Sequence, residues 1–249
     1  MVYRTTAELK SMARGRMLGN YGVAVSAFLL LEGIYLIVSQ IITYVVDVNS
    51  AMGMIMYGAI SIIINLIGVV FMVGETAIYL KLACGSKASA LDVFSGFQTH
   101  PDKAIWVELS VLARMLATLV PAMIAGGLYF ITGQKSDILL VVVALALIAG
   151  AVGCIYIRIA TSQCYYILLD FPEYSAKEVL ALSHKLMQGH MWHYVGIVVS
   201  FIPIMLLGML SLFIGMLFIY PYYRMTMTEF YLDIVRQPQQ ELSTFSVEV

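Results

Sequence analysis

Five stretches of this chain, at about 23–46, 54–80, 104–131, 138–169 and 191–232, stay apolar over 20 residues or more. A run of that length spans the ~30 Å hydrocarbon core of a bilayer at a helical rise of ~1.5 Å per residue. No local motif constrains the fold as tightly: the chain is expected to be an all-α, polytopic membrane helical bundle. Only 12% of its 249 residues are charged, about half the ~25% share of a typical soluble domain. With a formal net charge of −1, no overall basic character points to nucleic acid, and the lipid bilayer is the first expected partner. The first run follows a polar N-terminal stretch and has no small-x-small cleavage site after it. It therefore reads as a retained span and not a secretory signal.

The last run, about 42 residues long, is too long for one crossing. Pro203, Gly208, Ser211 and Gly215 offer a place to turn. A tight turn near Gly208–Gly215 divides the run into spans five and six, with five spans in all as the alternative. Basic residues set the orientation. With the N-terminus cytoplasmic, the inner segments hold Arg4, Lys10, Arg14, Arg16, Lys81, Lys87, Lys103, Lys177, Lys185 and Arg236, and the outer connections hold Lys135. Both termini are thus expected in the cytoplasm of a multi-pass protein. The tail, 237–249, is polar, contains Pro238, and is expected to be disordered.

The six spans form three hairpins, and each hairpin has matching ends. Ser/Thr-x-x-Tyr closes the second, fourth and sixth spans, at Thr76–Tyr79, Ser162–Tyr165 and Thr228–Tyr231. An N-cap signature precedes each hairpin: Thr5-x-x-Glu8, Ser89-x-x-Asp92 and Ser175-x-x-Glu178, 84 and 86 residues apart. Residues after the first and third caps alternate at helical period. Leu9, Met12, Ala13 and Met17 share one face, as do Ala176, Val179, Leu180, Ser183, Leu186 and Met187. Both helices end at a glycine, Gly19 and Gly189; the middle copy ends through His100-Pro101. The unit predicted is an amphipathic interfacial helix followed by a transmembrane hairpin. It occurs three times in one orientation, at about 5–80, 89–169 and 175–235. The closing tyrosines are expected at the membrane interface, each with a hydroxyl one turn earlier bonded back to the helix.

Charges within spans are costly and commonly face a bundle interior or a wet cavity. They are Glu32, Glu75, Glu108, Arg114, Arg158, Arg224 and Glu229. Glu32 and Arg114 lie at similar depth and form a candidate ion pair. Arg158 and Arg224 each stand seven residues before a closing tyrosine. From these, Glu32, Arg114, Arg158, Arg224 and Glu229 are the candidate lining of a polar cavity open to the cytoplasm, with structural ion pairs as the competing explanation.

No metalloprotease, nucleophile-elbow, phosphate-loop or dinucleotide signature occurs. His190 and His193 lack an acid or thiol at ligand spacing, so no metal site is expected. Neither catalytic residues nor a cofactor are assigned. Three cysteines, Cys84, Cys154 and Cys164, lie in or beside apolar segments and suggest no disulfide framework. Gly126-Gly127 and Gly150/Gly153 are candidates for close helix packing.

At the two ends, Leu9-Lys10-x-x-Ala13-Arg14 with Leu18-Gly19-Asn20-Tyr21, and Gly189-His190-x-Trp192, Ser200-Phe201-Ile202, Tyr220-Pro221-Tyr222-Tyr223 and Phe230-Tyr231, carry a resemblance. The chain resembles the bacterial membrane family called domain of unknown function 975. A tryptophan common after the Ser-Phe pair is replaced here by Pro203-Ile204. The resemblance implies an integral protein of the bacterial cell membrane, mostly from Gram-positive organisms, with no assigned activity and no catalytic residues to transfer. The expected role is non-catalytic, binding a lipid, a peptide or a membrane partner. A small-solute transporter with a cytoplasm-facing polar cavity is the alternative, and an intramembrane enzyme acting on lipid headgroups the third.

Overall fold

The computed structural model describes residues 3–132 and 137–245, with side chains as far as Arg236. Lys135, the basic residue expected on the outer side, and residues 246–249 of the expected tail lie outside the described residues.

Nine α-helices and one 3-10 helix follow one another, with no strand among the described residues: α1 (Thr6–Met17), α2 (Tyr21–Val45), α3 (Ala51–Ala83), the 3-10 helix (Ala90–Phe97), α4 (Pro101–Ile131), α5 (Asp137–Ala160), α6 (Cys164–Asp170), α7 (Ala176–Met187), α8 (Met191–Leu210) and α9 (Met216–Phe245). α9 continues through 237–245, into the stretch where a tail was expected. Five segments are long and apolar enough to cross a membrane: α2, α3, α4, α5 with α6, and α8. In hydrocarbon a backbone must satisfy its polar groups internally, which the helix does along its length. Length and composition alike are those of a multi-pass membrane protein.

The three N-caps form as the spacing predicts. The Thr5 amide donates to Glu8 Oε2 at 2.7 Å, Ser89 to Asp92 Oδ2 at 3.0 Å and Ser175 to Glu178 Oε2 at 2.8 Å. Each cap hydroxyl accepts an amide in return. The two boxes closed by glutamate start twelve-residue α-helices; the one closed by the shorter aspartate starts the 3-10 helix. Gly19 and Gly189 then turn the chain at φ +82° and +84°, a backbone that strains other L-residues. His100 takes the corner before α4 at φ +46°.

These three elements gather at one end of the bundle, the capped end, and dock on the long helices. α1 packs on α9, the 3-10 helix on α3, and α7 on α4 and α6. Leu9 of α1 and Met187 of α7 enter one buried cluster with Ile197, Phe201, Phe230 and Ile234 of the last hairpin. The 3-10 helix approaches α3 through two glycines. A Cβ on Gly74 would fall on the Val93 carbonyl oxygen, and one on Gly96 on the Val70 carbonyl oxygen.

Two expectations about glycines separate here. Gly150 and Gly153 face Leu119 and Thr118 of α4 closely, whereas a Cβ on Gly126 or Gly127 would meet nothing. The break between α5 and α6 exposes the Ala160 carbonyl, which accepts from the buried Ser183 hydroxyl at 2.9 Å.

α9 differs from the other long helices. Residues 225–234 are buried without interruption, Thr226, Thr228, Glu229 and Asp233 included. A helix covered by protein on every side needs no continuous apolar surface, provided its charges find partners. The chain turns into α9 through 211–215, where Leu212 and Phe213 adopt positive φ. This lies within the Gly208–Gly215 stretch expected to turn. Gly208 admits Ile219 there: a Cβ at that position would sit 2.6 Å from Ile219 Cδ1.

Candidate functional site

α3, α6 and α9 meet in the core, and the first and third Ser/Thr-x-x-Tyr motifs meet there with Tyr166 and Asp170 of α6. Thr76 Oγ1 donates to the Met72 carbonyl at 2.7 Å and accepts from Arg224 at 3.0 Å. Thr228 Oγ1 donates to the Arg224 carbonyl at 3.0 Å and lies 3.1 Å from the Tyr166 hydroxyl. Tyr166 stacks on Tyr231 with centroids 4.8 Å apart, and Tyr231 donates to Asp170 at 2.6 Å. The back-bonded hydroxyls match the expectation at Thr76 and Thr228. The interfacial position does not: Tyr79 is 1% exposed and Tyr231 fully buried. Helix ends that look polar in sequence turn inward here because they are needed at a three-helix junction.

Two ion pairs border this junction, one buried and one with its arginine half exposed. Arg224 of α9 lies 3.2 Å from Glu75 Oε2 of α3, which also accepts from the Tyr220 hydroxyl at 3.2 Å. Arg158 of α5 lies 3.0 Å from Glu108 of α4, which accepts from the closing Tyr165 at 2.8 Å. For the buried Arg224–Glu75 pair, charge-assisted bonds offset part of a desolvation cost that is several kcal/mol per ion. Glu75 Oε1, Arg224 Nε and the Tyr79 hydroxyl are buried without a hydrogen-bond partner among the described residues.

Both pairs front a cleft. α2 and α3, consecutive in sequence, leave a space of about 810 Å³ between them, within the ~300–1,000 Å³ typical of ligand sites. Ile34, Tyr35 and Val38 of α2 and Ile62, Ile67 and Phe71 of α3 supply apolar walls. Glu32, Glu75, Glu108, Arg158, Tyr165 and Tyr220 supply a polar floor.

The expected cavity set divides accordingly. Glu32 and Arg158 line the cleft, and Arg224 stands directly behind Glu75. Glu229 and Arg114 are not among the lining residues. Glu229 pairs instead with Arg16 of α1 at 3.5 Å, at the capped end. Arg114 is exposed on α4 within electrostatic range of Cys164. The proposed Glu32–Arg114 ion pair does not form: neither residue is ion-paired among the described residues. Equal depth fixed only one coordinate, and the two side chains belong to different faces of the bundle. Glu75 and Glu108, charges noted in the spans but left out of the cavity set, are the partners that Arg224 and Arg158 find. Two arginines at equivalent positions, each needing a carboxylate, were the signal for them.

A family model described as "Protein of unknown function (DUF975)" matches residues 1–238. No curated protein and no solved structure matches the chain. The two terminal stretches that resemble this family touch each other. Lys10 Nζ donates to the Ser200 carbonyl at 3.0 Å and sits 4.3 Å from the Phe201 ring centroid. The Tyr222 hydroxyl donates to the Lys10 carbonyl at 3.2 Å.

Proposed function

The chain belongs to this family of proteins of unknown function, so its role has to be read from its own geometry, and we propose that it is a non-catalytic membrane protein that holds a lipid in the cleft between α2 and α3. One observation carries the reading: a cleft with apolar walls and a charged floor, cut into helices whose outer faces suit hydrocarbon. Such a space fits a molecule that is itself apolar at one end and polar at the other.

The small-solute transporter is the weaker reading. A path toward the capped end would have to pass the junction of α3, α6 and α9, and Tyr79, Tyr166 and Tyr231 fill it. A lateral cleft above a solid junction suits binding better than passage.

Six spans, both termini cytoplasmic and residence in the cell membrane belong to the same proposal. In it α9 is the sixth crossing, shielded by its neighbours along 225–234. The threefold repeat draws support from α1, which docks on α9 from the far end of the sequence. The 3-10 helix and α7 each rest on the helix just before them, α3 and α6; α1 closes that order into a ring. α1 and α7 would lie along the cytoplasmic interface, with Trp192 and Trp106 exposed near them.

The test is purification of the full chain from native membrane in mild detergent, followed by native mass spectrometry. Lipid retained at a fixed stoichiometry is the expected result. A protein that keeps no lipid at detergent concentrations leaving it folded would refute the reading.

A further inference from the structure

The floor of the cleft carries three carboxylates, Glu32, Glu75 and Glu108, against one arginine, Arg158. Arg158 answers Glu108 and Arg224 answers Glu75, which leaves Glu32 without an ion partner among the described residues. Glu75 is among the lining residues yet only 2% exposed, and its Oε1 is buried without a donor among the described residues. A buried acceptor left unmade is costly, and a carboxylate accepts only from N–H or O–H groups. Two carboxylates over one apolar-walled space therefore favour a cation that carries N–H donors. Arg158 adds a complementary feature. Its side chain is 52% exposed, and its guanidinium keeps donors beyond those it gives Glu108.

Resting on the lipid-binding reading, we propose that the occupant is a phospholipid with a primary ammonium headgroup, of phosphatidylethanolamine chemistry. Its ammonium sits between the Glu32 and Glu75 carboxylates, its phosphate meets Arg158, and its acyl chains lie along Ile34, Val38 and Ile62. A quaternary headgroup lacks the N–H that Glu75 needs, and an anionic headgroup meets Glu32 with the wrong sign.

The purified full chain is exchanged with vesicles of equal phosphatidylethanolamine, phosphatidylcholine and phosphatidylglycerol, and retained lipid is counted by native mass spectrometry. Phosphatidylethanolamine should be retained about tenfold over either competitor, one charge-assisted contact's worth at ~1.4 kcal/mol per decade. Glu32→Gln, at an exposed position without an ion partner, should bring the three lipids to near parity with circular dichroism unchanged. Equal retention by the native chain, or an undiminished preference in Glu32→Gln, overturns the headgroup assignment. Gly68→Trp separates the two levels, since Gly68 lines the cleft with open space beside it. If lipid without headgroup preference is lost on Gly68→Trp, the cleft reading stands and the ammonium assignment falls. If Gly68→Trp retains as much lipid as the native chain, both fall.

Discussion

Arg224 of α9 stands 3.2 Å from Glu75 of α3, and the guanidinium also donates to Thr76 at 3.0 Å. The last long helix is thereby bound to the first hairpin across the middle of the molecule. This contact also holds Glu75 at the wall of the cleft, with one oxygen committed to the protein and the other left over. Structure and candidate site share a residue at this point.

Removing one member of that pair should leave a buried charge unanswered, which costs about 3–5 kcal/mol. Arg224→Met and Glu75→Gln are each expected to lower the thermal midpoint in detergent sharply. The double substitution should recover much of the loss, because neither charge then remains. A double variant as unstable as the sum of the singles would show that the two side chains act independently.

Gly74 and Gly96 let α3 and the 3-10 helix meet backbone to backbone. Alanine at either site places a methyl group on a carbonyl oxygen, and overpacking of this kind costs ~1–3 kcal/mol or more. Gly126→Ala, whose Cβ meets nothing, is the control, and helix propensity alone should make it neutral or slightly stabilising. Thermal unfolding of the three variants in one detergent checks the contrast.

What could be read from sequence follows from how local each interaction is. The three caps were legible because a hydroxyl and an acid three residues apart serve each other within a single turn. The turn before α9 was legible because glycine, proline and serine cluster there. The partner of Glu32 was misjudged because depth in a span says nothing about which way a helix face points. Gly74 and Gly96 gave no sign, since a glycine that admits another backbone looks like any glycine in an apolar run. α9 was the hardest element. Its charges argue against a lipid-facing span, and only the packed structure shows that protein surrounds residues 225–234.

Acid should loosen the capped end before it affects the spans. The Thr5, Ser89 and Ser175 amides hold Glu8, Asp92 and Glu178 below the ordinary carboxylate range. Burial, with the nearby His193, lowers His190. A group whose pKa is depressed on folding stabilises the fold above its unfolded value, and that stability is lost as pH falls through the folded value. The thermal midpoint should therefore be flat above pH ~7, decline below ~6.5 as His190 takes a proton, and fall again below ~4. Glu8→Gln with Glu178→Gln keeps a capping amide in place of the acid and should flatten the lower step. A lower step unchanged in that variant would assign it to other carboxylates.

The orientation of the chain can be tested through its cysteines, which differ in access. Cys84 is exposed at the C-cap of α3, on the capped end, whereas Cys164 is 2% exposed inside α6. With the capped end in the cytoplasm, a membrane-impermeant maleimide should label Cys84 in inverted vesicles and leave it unlabelled in intact cells. Cys164 should react in neither until the protein is denatured, so a Cys84→Ser variant serves as the blank. Labelling of Cys84 from outside intact cells would reverse the topology. The cleft floor, near the capped ends of α2 and α4, would then lie toward the outer leaflet and draw its lipid from there.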